Sequence, residues 1–465
     1  MQKTQHNTFL LCIAGLVSIG GILYGYDMGV ISGALLFINQ TIPMNDTEMG
    51  IIVGAVLGGG LIGTLLAGPI GDRYGRRYLI LASSIIFILG VISILCATSF
   101  IVLLLARLLL GIGVGIVAVA VPLYVAEMVP SKDRGKYVTF FQLLLTFGIV
   151  LAYFVDLFFT PSGNWRAMFA ILLIPSSILF LGMCIFPETP RWLVANRKLD
   201  KAKEILRRVR NTEVEVLHDI NEIQQSLQKV RKSTWGELFS YQLLFPSLLA
   251  IAVAICNQLT GINSFLQYAP LILKNAGISS NFVSMLGSAG IGVLNFLFTI
   301  VAIIFIDTLG RRPLLLIGVA GVVFAELFLG AVNYFIPNSP NAGILSLIGL
   351  LFYIVFFAIG PGVVVWLVIS ELFPTQVRGK GIAICLFFNS LASTLLATFF
   401  LPIVKYLGMG QTYWLFAFFS LGYFLLTFFF LPETKARSLE EIQEYFYKVD
   451  QDIKLPSLTN VVRDI

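Results

Sequence analysis

The sequence has little charge, almost no histidine and no clustered cysteines. Only 12% of its 465 residues are Asp, Glu, Lys or Arg, whereas soluble chains carry about 25%. The two histidines, His6 and His218, lie outside the apolar runs, so the usual base for nucleophilic catalysis is missing. The five cysteines lie inside apolar runs and form no C-x-x-C or Cys/His cluster. We therefore expect no soluble domain, disulfide framework, metal site or cofactor, and no enzyme.

Long apolar runs fill most of the chain. Hydrophobic residues make up 57% of it, and the mean hydropathy is +0.90. A hydrocarbon core of about 30 Å needs about 20 apolar residues per helix. The sequence therefore predicts an all-α membrane protein with twelve transmembrane helices, and the first run is too long for a cleavable signal. The runs lie at 9–35, 48–70, 79–97, 101–124, 137–159, 166–187, 243–270, 283–306, 313–335, 343–368, 381–404 and 412–431.

Three short motifs occur in the same order in both halves of the chain. The copies lie about 240 residues apart in each case, a regularity that chance matches would not give. The pairs are Asp72–Arg77 with Asp307–Arg312, Glu127–Lys136 with Glu371–Lys380, and Pro187–Thr189 with Pro432–Thr434. The sequence therefore predicts a tandem duplication. We expect an N-terminal six-helix bundle at 1–187, a cytoplasmic linker at 188–242, a C-terminal six-helix bundle at 243–431 and a cytoplasmic tail at 432–465.

The linker and the tail carry helical patterns of their own. Residues 200–209 and 214–227 show helical periodicity with mixed charge, which predicts short helices. Their basic residues could touch anionic lipid or simply form a solvated face. In the tail, Ser438 and Glu441 have the spacing of a capping box, and residues 450–465 are expected to be disordered.

The distribution of Lys and Arg predicts the orientation in the membrane. Basic residues concentrate in the loops after helices 2, 4, 8 and 10, so these loops and both termini are expected to face the cytoplasm. They are Arg73, Arg76, Arg77, Lys132, Arg134, Lys136, Arg311, Arg312, Arg378 and Lys380, against Arg166, Lys274 and Lys405 in the opposite loops. The net charge of +6 therefore indicates topology rather than nucleic-acid binding. Compact loops favour a bacterial inner membrane, where the sequons at Asn39 and Asn45 would have no role.

The motifs together resemble a known family over nearly the whole chain. The matching stretches are Gly25–Asp27, Gly71–Arg77, Glu127–Lys136, Pro187–Arg191, Asn257–Asn263, Asp307–Arg312, Gly360–Trp366, Glu371–Lys380 and Pro432–Thr434. D-x-x-G-R-R alone marks the major facilitator superfamily, whereas the P-E-T segments and the helix 7 amides resemble its sugar porter family. The chain is most similar to bacterial proton-coupled symporters of the xylose and galactose type. The resemblance implies two bundles that rock about a central site and import a monosaccharide with a proton.

Asp27 lies inside the first apolar run, where a carboxylate must be protonated or paired. Arg107 is the one cation deep within the spans of the first half, so we expect the two to pair. The resemblance implies that this pair couples sugar and proton movement, while a static ion pair that fixes packing is the alternative. Some proton-coupled relatives have a second carboxylate in helix 6, where this chain has Leu172.

Uncharged amides lie within several spans. Hydroxyl groups both donate and accept hydrogen bonds, as Asn and Gln side chains do, and a sugar face packs on an indole ring. The resemblance implies sugar contacts at Gln142, Asn257, Gln258, Asn263, Asn295, Trp366 and Asn389. Amides that join helices are the alternative reading. The chain departs from the family pattern at Asn257, Gln267, Ala358 and Ser390, so the substrate cannot be carried over.

The duplicated motifs pair acids with bases. The resemblance implies that these residues form salt bridges, between and within the halves, that close the cytoplasmic side, whereas topology control would need only the arginines. They are Asp72, Arg76, Glu127, Arg134 and Glu188 in the first half, and Asp307, Arg311, Glu371, Arg378 and Glu433 in the second.

The expected partners are a monosaccharide, protons and the lipid bilayer, with no nucleic acid, and the chain is expected to act as a monomer. Two other functions stay open. One is uncoupled facilitated diffusion through the same site, and the other is a non-transporting sugar sensor. A sensor usually has a long signalling tail, and the tail after Pro432 is short.

Overall fold

The computed structural model describes residues 2–130, 134–210, 212–229, 235–240, 243–337, 339–374 and 377–435. Within these ranges the chain forms helices and no strands, which confirms the all-α prediction. Twelve segments of the described ranges are long and apolar enough to cross a membrane. The predicted cap at Ser438 and the rest of the tail lie outside the described residues.

The described residues of the first half and the linker form eleven α-helices. In the first half they are α1 (Gln2–Val17), α2 (Ile19–Thr41), α3 (Asp46–Tyr74), α4 (Arg76–Leu95), α5 (Phe100–Met128), α6 (Arg134–Phe159), α7 (Trp165–Ala170) and α8 (Leu173–Ile185). The linker holds α9 (Pro190–Ala195), α10 (Leu199–Val209) and α11 (Glu213–Lys229). The two predicted linker helices are present, and α9, which the sequence analysis did not predict, precedes them.

In the second half, the part of the chain that the structure describes forms eight α-helices. They are α12 (Leu244–Leu259), α13 (Ile262–Asn275), α14 (Asn281–Leu309), α15 (Arg311–Phe335), α16 (Pro340–Ile359), α17 (Pro361–Leu372), α18 (Arg378–Leu407) and α19 (Met409–Phe430). Short 3-10 turns lie at Thr160–Ser162 and Trp235–Phe239.

Several spans are made of two helices rather than one. The span Leu244–Asn275 breaks between α12 and α13 at Gly261, whose φ of +78° suits a residue without a Cβ. The span Asn341–Leu372 breaks before Pro361, which lacks the N–H that a continuous helix would use. Such breaks are tolerated in a bilayer where the freed groups line a cavity or are buried in protein.

The D-x-x-G-R-R motifs are helix junctions rather than loops. The helix α3 continues through Asp72 and ends at Tyr74, and α4 begins at Arg76. The single residue between them is Gly75, with φ +105°. The junction of α14 and α15 has the same form at Gly310, with φ +95°. The apolar runs predicted spans that stop before these motifs, and the structure extends the helices because polar residues continue a helix beyond the membrane. We call this side of the molecule the motif end.

Helices of one half approach each other closely where they are lined by glycine. Gly21, Gly25, Gly29 and Gly33 recur every four residues on α2 and face α6, where a Cβ would meet backbone or side-chain atoms. Small residues at this spacing allow close packing in a bilayer, where apolar surface alone gives no preference for protein over lipid.

The two halves meet at the side opposite the motif end. Gly50 and Gly54 of α3 lie against Thr398 and Thr394 of α18, and the Lys405 ammonium lies 2.8 Å from Asp46. One apolar core runs through the first half and continues into α13 and the nearby ends of α14, α16 and α18. A separate core fills the motif end of the second half. The halves therefore close against each other at the opposite end.

At that opposite end, between α2 and α3, the side chains of both sequon asparagines make local hydrogen bonds. The Oδ1 of Asn39 accepts the Met44 N–H at 2.6 Å. Asn45 caps α3 by accepting the Glu48 N–H, while the Glu48 carboxylate accepts the Asn45 N–H. This is a capping box, which satisfies N–H groups that the helix itself leaves unpaired.

Candidate transport site

Asp27 of α2 and Arg107 of α5 form a buried ion pair. Arg107 Nη1 lies 2.8 Å from Asp27 Oδ1, and both residues have 0% exposure. The guanidinium carbon lies 5.5 Å from the centre of the Phe169 ring. Asp27 Oδ2 and Arg107 Nη2 make no hydrogen bond with the described residues. The structure therefore brings together the two residues predicted to pair, through a single contact that protonation of Asp27 would weaken.

Three of the predicted sugar amides form one hydrogen-bonded chain beside the α12–α13 break. The Gln258 amide donates to Asn389 Oδ1 at 3.2 Å, and the Asn263 amide donates to Gln258 Oε1 at 2.9 Å. Asn389 in turn donates to the Ala254 carbonyl at 2.9 Å. Asn263 also donates to the Ser393 hydroxyl at 2.6 Å. Because the chain breaks here, amides from α12 and α13 can bond both to each other and to side chains of α18.

The other predicted sugar contacts lie on different helices. Asn257 is buried on α12, and its Oδ1 makes no hydrogen bond with the described residues. Asn295 is buried on α14, while Gln142 on α6 and Trp366 on α17 are half-buried. Within the described ranges, the hydrogen bonds of the amide chain do not extend to Gln142, Asn295 or Trp366. The structure thus joins three of the seven predicted contacts directly.

The helix that carries the amides touches the helix that carries Asp27. Gln267, a position where the chain departs from the family pattern, is fully buried on α13, and its Nε2 lies 3.2 Å from the sulfur of Met28. Tyr153 of α6 donates to the Leu266 carbonyl at 2.8 Å. Met28 follows Asp27 directly in the sequence, so α2 and α13 touch one residue away from the ion pair.

At the motif end of the first half, Arg76 and Glu188 join three segments. Arg76 lies 2.8 Å from Asp72 and 3.3 Å from Glu127. The Glu188 carboxylate accepts the backbone N–H groups of Arg76 and Arg77, which begin α4. Burial raises the pKa of Glu188, and these hydrogen bonds oppose the shift. A carboxylate at a helix N-terminus is also favoured by the helix dipole.

The second half repeats this arrangement residue by residue. Arg311 lies 3.0 Å from Asp307 and 3.4 Å from Glu371, and Glu433 accepts the N–H groups of Arg311 and Arg312. The hydroxyl of the following threonine donates to a glutamate at 2.5 Å in both halves. These contacts are Thr189 to Glu127 and Thr434 to Glu371. The duplication read from the motifs is therefore present in the geometry.

The ion pairs of Arg76 and of Arg311 each lie within one half. The bridges between the halves stay a prediction, in a structure where the halves meet at the opposite end. Arg378 donates from Nε to the Phe373 carbonyl at 3.4 Å. The side chain of Arg134 lies outside the described part of the structure.

Sequence reasoning missed two buried carboxyl groups. Asp156 on α6 accepts the Gly33 N–H at 3.1 Å and has 0% exposure. Glu326 on α15 also has 0% exposure. Both residues lie inside predicted apolar runs, so a search for acidic residues in every run would have found them.

Twelve candidate membrane spans in two related halves, with an ion pair buried in the first half and an amide chain in the second, are typical of a membrane transporter. Residues 13–446 match the family model described as "Sugar (and other) transporter". The chain belongs to this sugar transporter family, whose members are transporters and not enzymes.

Curated relatives and solved structures match over almost full length. The chain is 36% identical to the glucose transporter GlcP of Staphylococcus epidermidis over 94% of this chain and 97% of that protein. It is 36% identical to a D-xylose transporter of Levilactobacillus brevis, covering 92% and 93%. It is 33% identical to the galactose-proton symporter of Escherichia coli, covering 95% of each. The inward-open structure of the E. coli xylose transporter XylE superposes with a TM-score of 0.82 at 29% identity, covering 94% of this chain and 99% of that one.

Proposed function

We propose that the protein imports a neutral monosaccharide together with a proton by alternating access. The observation that carries the proposal is the buried pair of Asp27 and Arg107. The next residue on α2, Met28, contacts Gln267 on the amide-bearing helix α13. Relatives named as galactose-proton and arabinose-proton symporters support the same function.

The amide chain is suited to hydroxyl groups. Gln258, Asn263 and Asn389 each offer a donor and an acceptor, and none carries a charge that would select an organic anion. Their present hydrogen bonds to each other hold them in place and are exchanged for sugar hydroxyls on binding. Because buried donors and acceptors must be satisfied, a substrate that lacks a matching hydroxyl is rejected strongly.

The ion pair supplies the coupling. While Asp27 is ionised it holds Arg107, and protonation removes the charge that this contact depends on. Arg107 is then released from α2, and the balance between the two conformations changes. A conformational equilibrium moves only by the difference in binding energy between its states, and proton binding at Asp27 provides that difference.

The orientation follows from the basic residues, and the conformation follows from the end at which the two halves meet. With the arginine-rich motif end in the cytoplasm, both termini are cytoplasmic and the halves meet on the external side. This arrangement corresponds to the inward-open state of the similar XylE structure. The acid–base pairs of the motifs would then control how closely the cytoplasmic ends of the two halves approach each other. The sugar amides and the ion pair lie in one chain, which supports a functional monomer. The compact loops favour the bacterial inner membrane.

The substrate class can be tested by exchange in proteoliposomes loaded with a labelled sugar. A panel of pentoses, hexoses, inositol and a carboxylated sugar would be added outside the vesicles. We expect exchange with at least one neutral monosaccharide and none with the carboxylated sugar. Exchange of the anion alone, or of none of the neutral compounds, would contradict the proposal.

A further inference from the structure

Ser393 of α18 contacts the amide chain, although it is not among the residues predicted to bind sugar. The Asn263 amide donates to the Ser393 hydroxyl oxygen at 2.6 Å, and Ser393 is 3% exposed. Ser393 lies one turn after Asn389 on the same face of α18. Because Asn389 is hydrogen-bonded to Gln258, α18 contributes two polar side chains to this chain of contacts.

The Ser393 hydroxyl keeps a proton that no described residue accepts. Serine and threonine side chains within helices can donate to the carbonyl one turn earlier. Thr394, the next residue of α18, does so and donates to the Ser390 carbonyl at 2.7 Å. Ser393 donates no hydrogen bond within the described ranges, and its oxygen instead accepts the Asn263 amide. Its hydroxyl therefore has a donor to spare beside the sugar amides.

The Asn263 side chain has a spare acceptor. Its nitrogen donates both to Gln258 Oε1 and to the Ser393 hydroxyl, whereas its Oδ1 accepts no hydrogen bond from the described residues. Asn263 is half-buried, while Gln258 and Ser393 are buried. A ligand that reaches the Asn263 amide therefore lies beside the Ser393 hydroxyl.

A second pair of contacts holds α13 against α18 next to this site. The Tyr268 hydroxyl of α13 donates to the Ala397 carbonyl at 2.9 Å, one turn after Ser393. The Tyr268 ring also stacks on Phe400 of α18, with ring centres 4.9 Å apart. The approach of Asn263 to Ser393 therefore does not depend on their own hydrogen bond alone, and the pair is preorganised for a ligand.

One spare donor and one spare acceptor match a hydroxyl group. A sugar hydroxyl can accept the Ser393 proton and donate its own proton to Asn263 Oδ1. A carboxylate accepts hydrogen bonds and donates none, so it would leave the Asn263 oxygen unsatisfied. The pair is therefore suited to a neutral polyol.

We propose that Ser393 is a further specificity-determining residue of the sugar site. Its hydroxyl donates to one hydroxyl oxygen of the bound monosaccharide, and Asn263 Oδ1 accepts from the same hydroxyl group. The inference rests on the proposed function, because it adds a contact to the same site.

The test measures exchange in proteoliposomes of wild type, Ser393→Ala and the control Ser288→Ala. The substrates are the neutral monosaccharide that wild type exchanges best and each of its monodeoxy analogues. In wild type, removal of the hydroxyl that meets Ser393 leaves buried groups unpaired and raises KM about fivefold or more. In Ser393→Ala, KM for the parent sugar rises about fivefold, and for this one analogue the ratio to the parent KM falls to about twofold or less. The other analogues keep their wild-type ratios.

The control removes a buried hydroxyl that takes no part in the amide chain. Ser288 of α14 is fully buried and donates to the Ser284 carbonyl of its own helix at 2.9 Å, so its loss is expected to leave every KM unchanged. If Ser393→Ala does not fold, Ser393→Cys replaces it. A thiol is a weak donor, so the same selective change is expected on a smaller scale.

Two results would overturn the role of Ser393 while leaving the proposed function intact. One is an unchanged KM for the parent sugar in Ser393→Ala. The other is a rise in KM that leaves the ratio of every analogue as in wild type, because a residue that only packs affects all sugars alike. If wild type exchanges no neutral monosaccharide, the proposed function itself fails, and the role of Ser393 fails with it.

Discussion

The carboxylate of Glu188 accepts the first two backbone N–H groups of α4, those of Arg76 and Arg77, from a distant part of the chain. It ties the end of the first bundle to the start of α4 across the Gly75 junction. Glu433 makes the same contacts at α15. The P-E-T segments thus serve as remote helix caps, and this explains why each half has one.

Replacing Glu188 with Ala removes this cap. The N–H groups of Arg76 and Arg77 lose a charged acceptor, which costs about 1.5–3 kcal/mol for a partly buried contact. We expect a lower melting temperature in detergent and a reduced transport rate. The control is Asp72→Asn, because the Asp72 side chain is 74% exposed and its ion pair with Arg76 contributes about 0–1 kcal/mol. Equal melting temperatures for the two variants would contradict the capping role.

Replacing Gly54 with Val opposes contact of the halves at the opposite end. A Cβ at Gly54 would collide with the Thr398 hydroxyl, so the conformation described here is disfavoured and the population moves towards the state open on that side. Spin-label distances between the outer ends of α3 and α18 are expected to lengthen. In Gly58→Ala the new Cβ would lie 3.4 Å from Thr394, an ordinary contact, and the distances are expected to stay the same. An unchanged distance distribution in Gly54→Val would show that this contact does not limit opening.

Replacing Gln258 with Ala breaks the amide chain at its centre. The variant loses one group that meets the sugar and leaves Asn263 and Asn389 without their shared partner. We expect KM to rise about tenfold, which corresponds to about 1.4 kcal/mol. Asn333→Ala is the control, because Asn333 is also an intramembrane amide but bonds to Leu329 and Ser346 outside the site. If both variants raised KM equally, the amides would be interhelical contacts rather than a sugar site.

Much of the fold follows from local sequence. The twelve spans are set by run length, and the duplication by motif spacing. The pairing of Asp27 with Arg107 was predictable because a buried charge needs an opposite charge, and the first half offers one deep in its spans. The same rule missed Asp156 and Glu326, because neither has an ion-pair partner among the described residues that the sequence could have pointed to.

Other features depend on tertiary packing, which a short stretch of sequence does not reveal. Gly261 is one of 42 glycines, and nothing local separates it from those inside continuous helices. The motif acids and bases were predicted to bridge the halves as well as to pair within them. The structure pairs Arg76 and Arg311 within their own halves, since each lies one turn from an aspartate and beside a glutamate of the adjacent helix. Which pairs form between halves depends on the conformation, and sequence does not specify it.

Proton movement in Asp27→Asn proteoliposomes distinguishes proton-coupled from uncoupled sugar transport. Internal pH and labelled-sugar exchange would be recorded together in wild type, in Asp27→Asn and in the control Asp46→Asn, whose carboxylate pairs with Lys405 at the end opposite the motifs. The account predicts sugar-dependent internal acidification in wild type and Asp46→Asn. In Asp27→Asn it predicts no acidification but continued exchange, because Asn stays neutral and cannot cycle a proton. Sugar exchange without any pH change in wild type would contradict proton coupling and would leave an uncoupled facilitator.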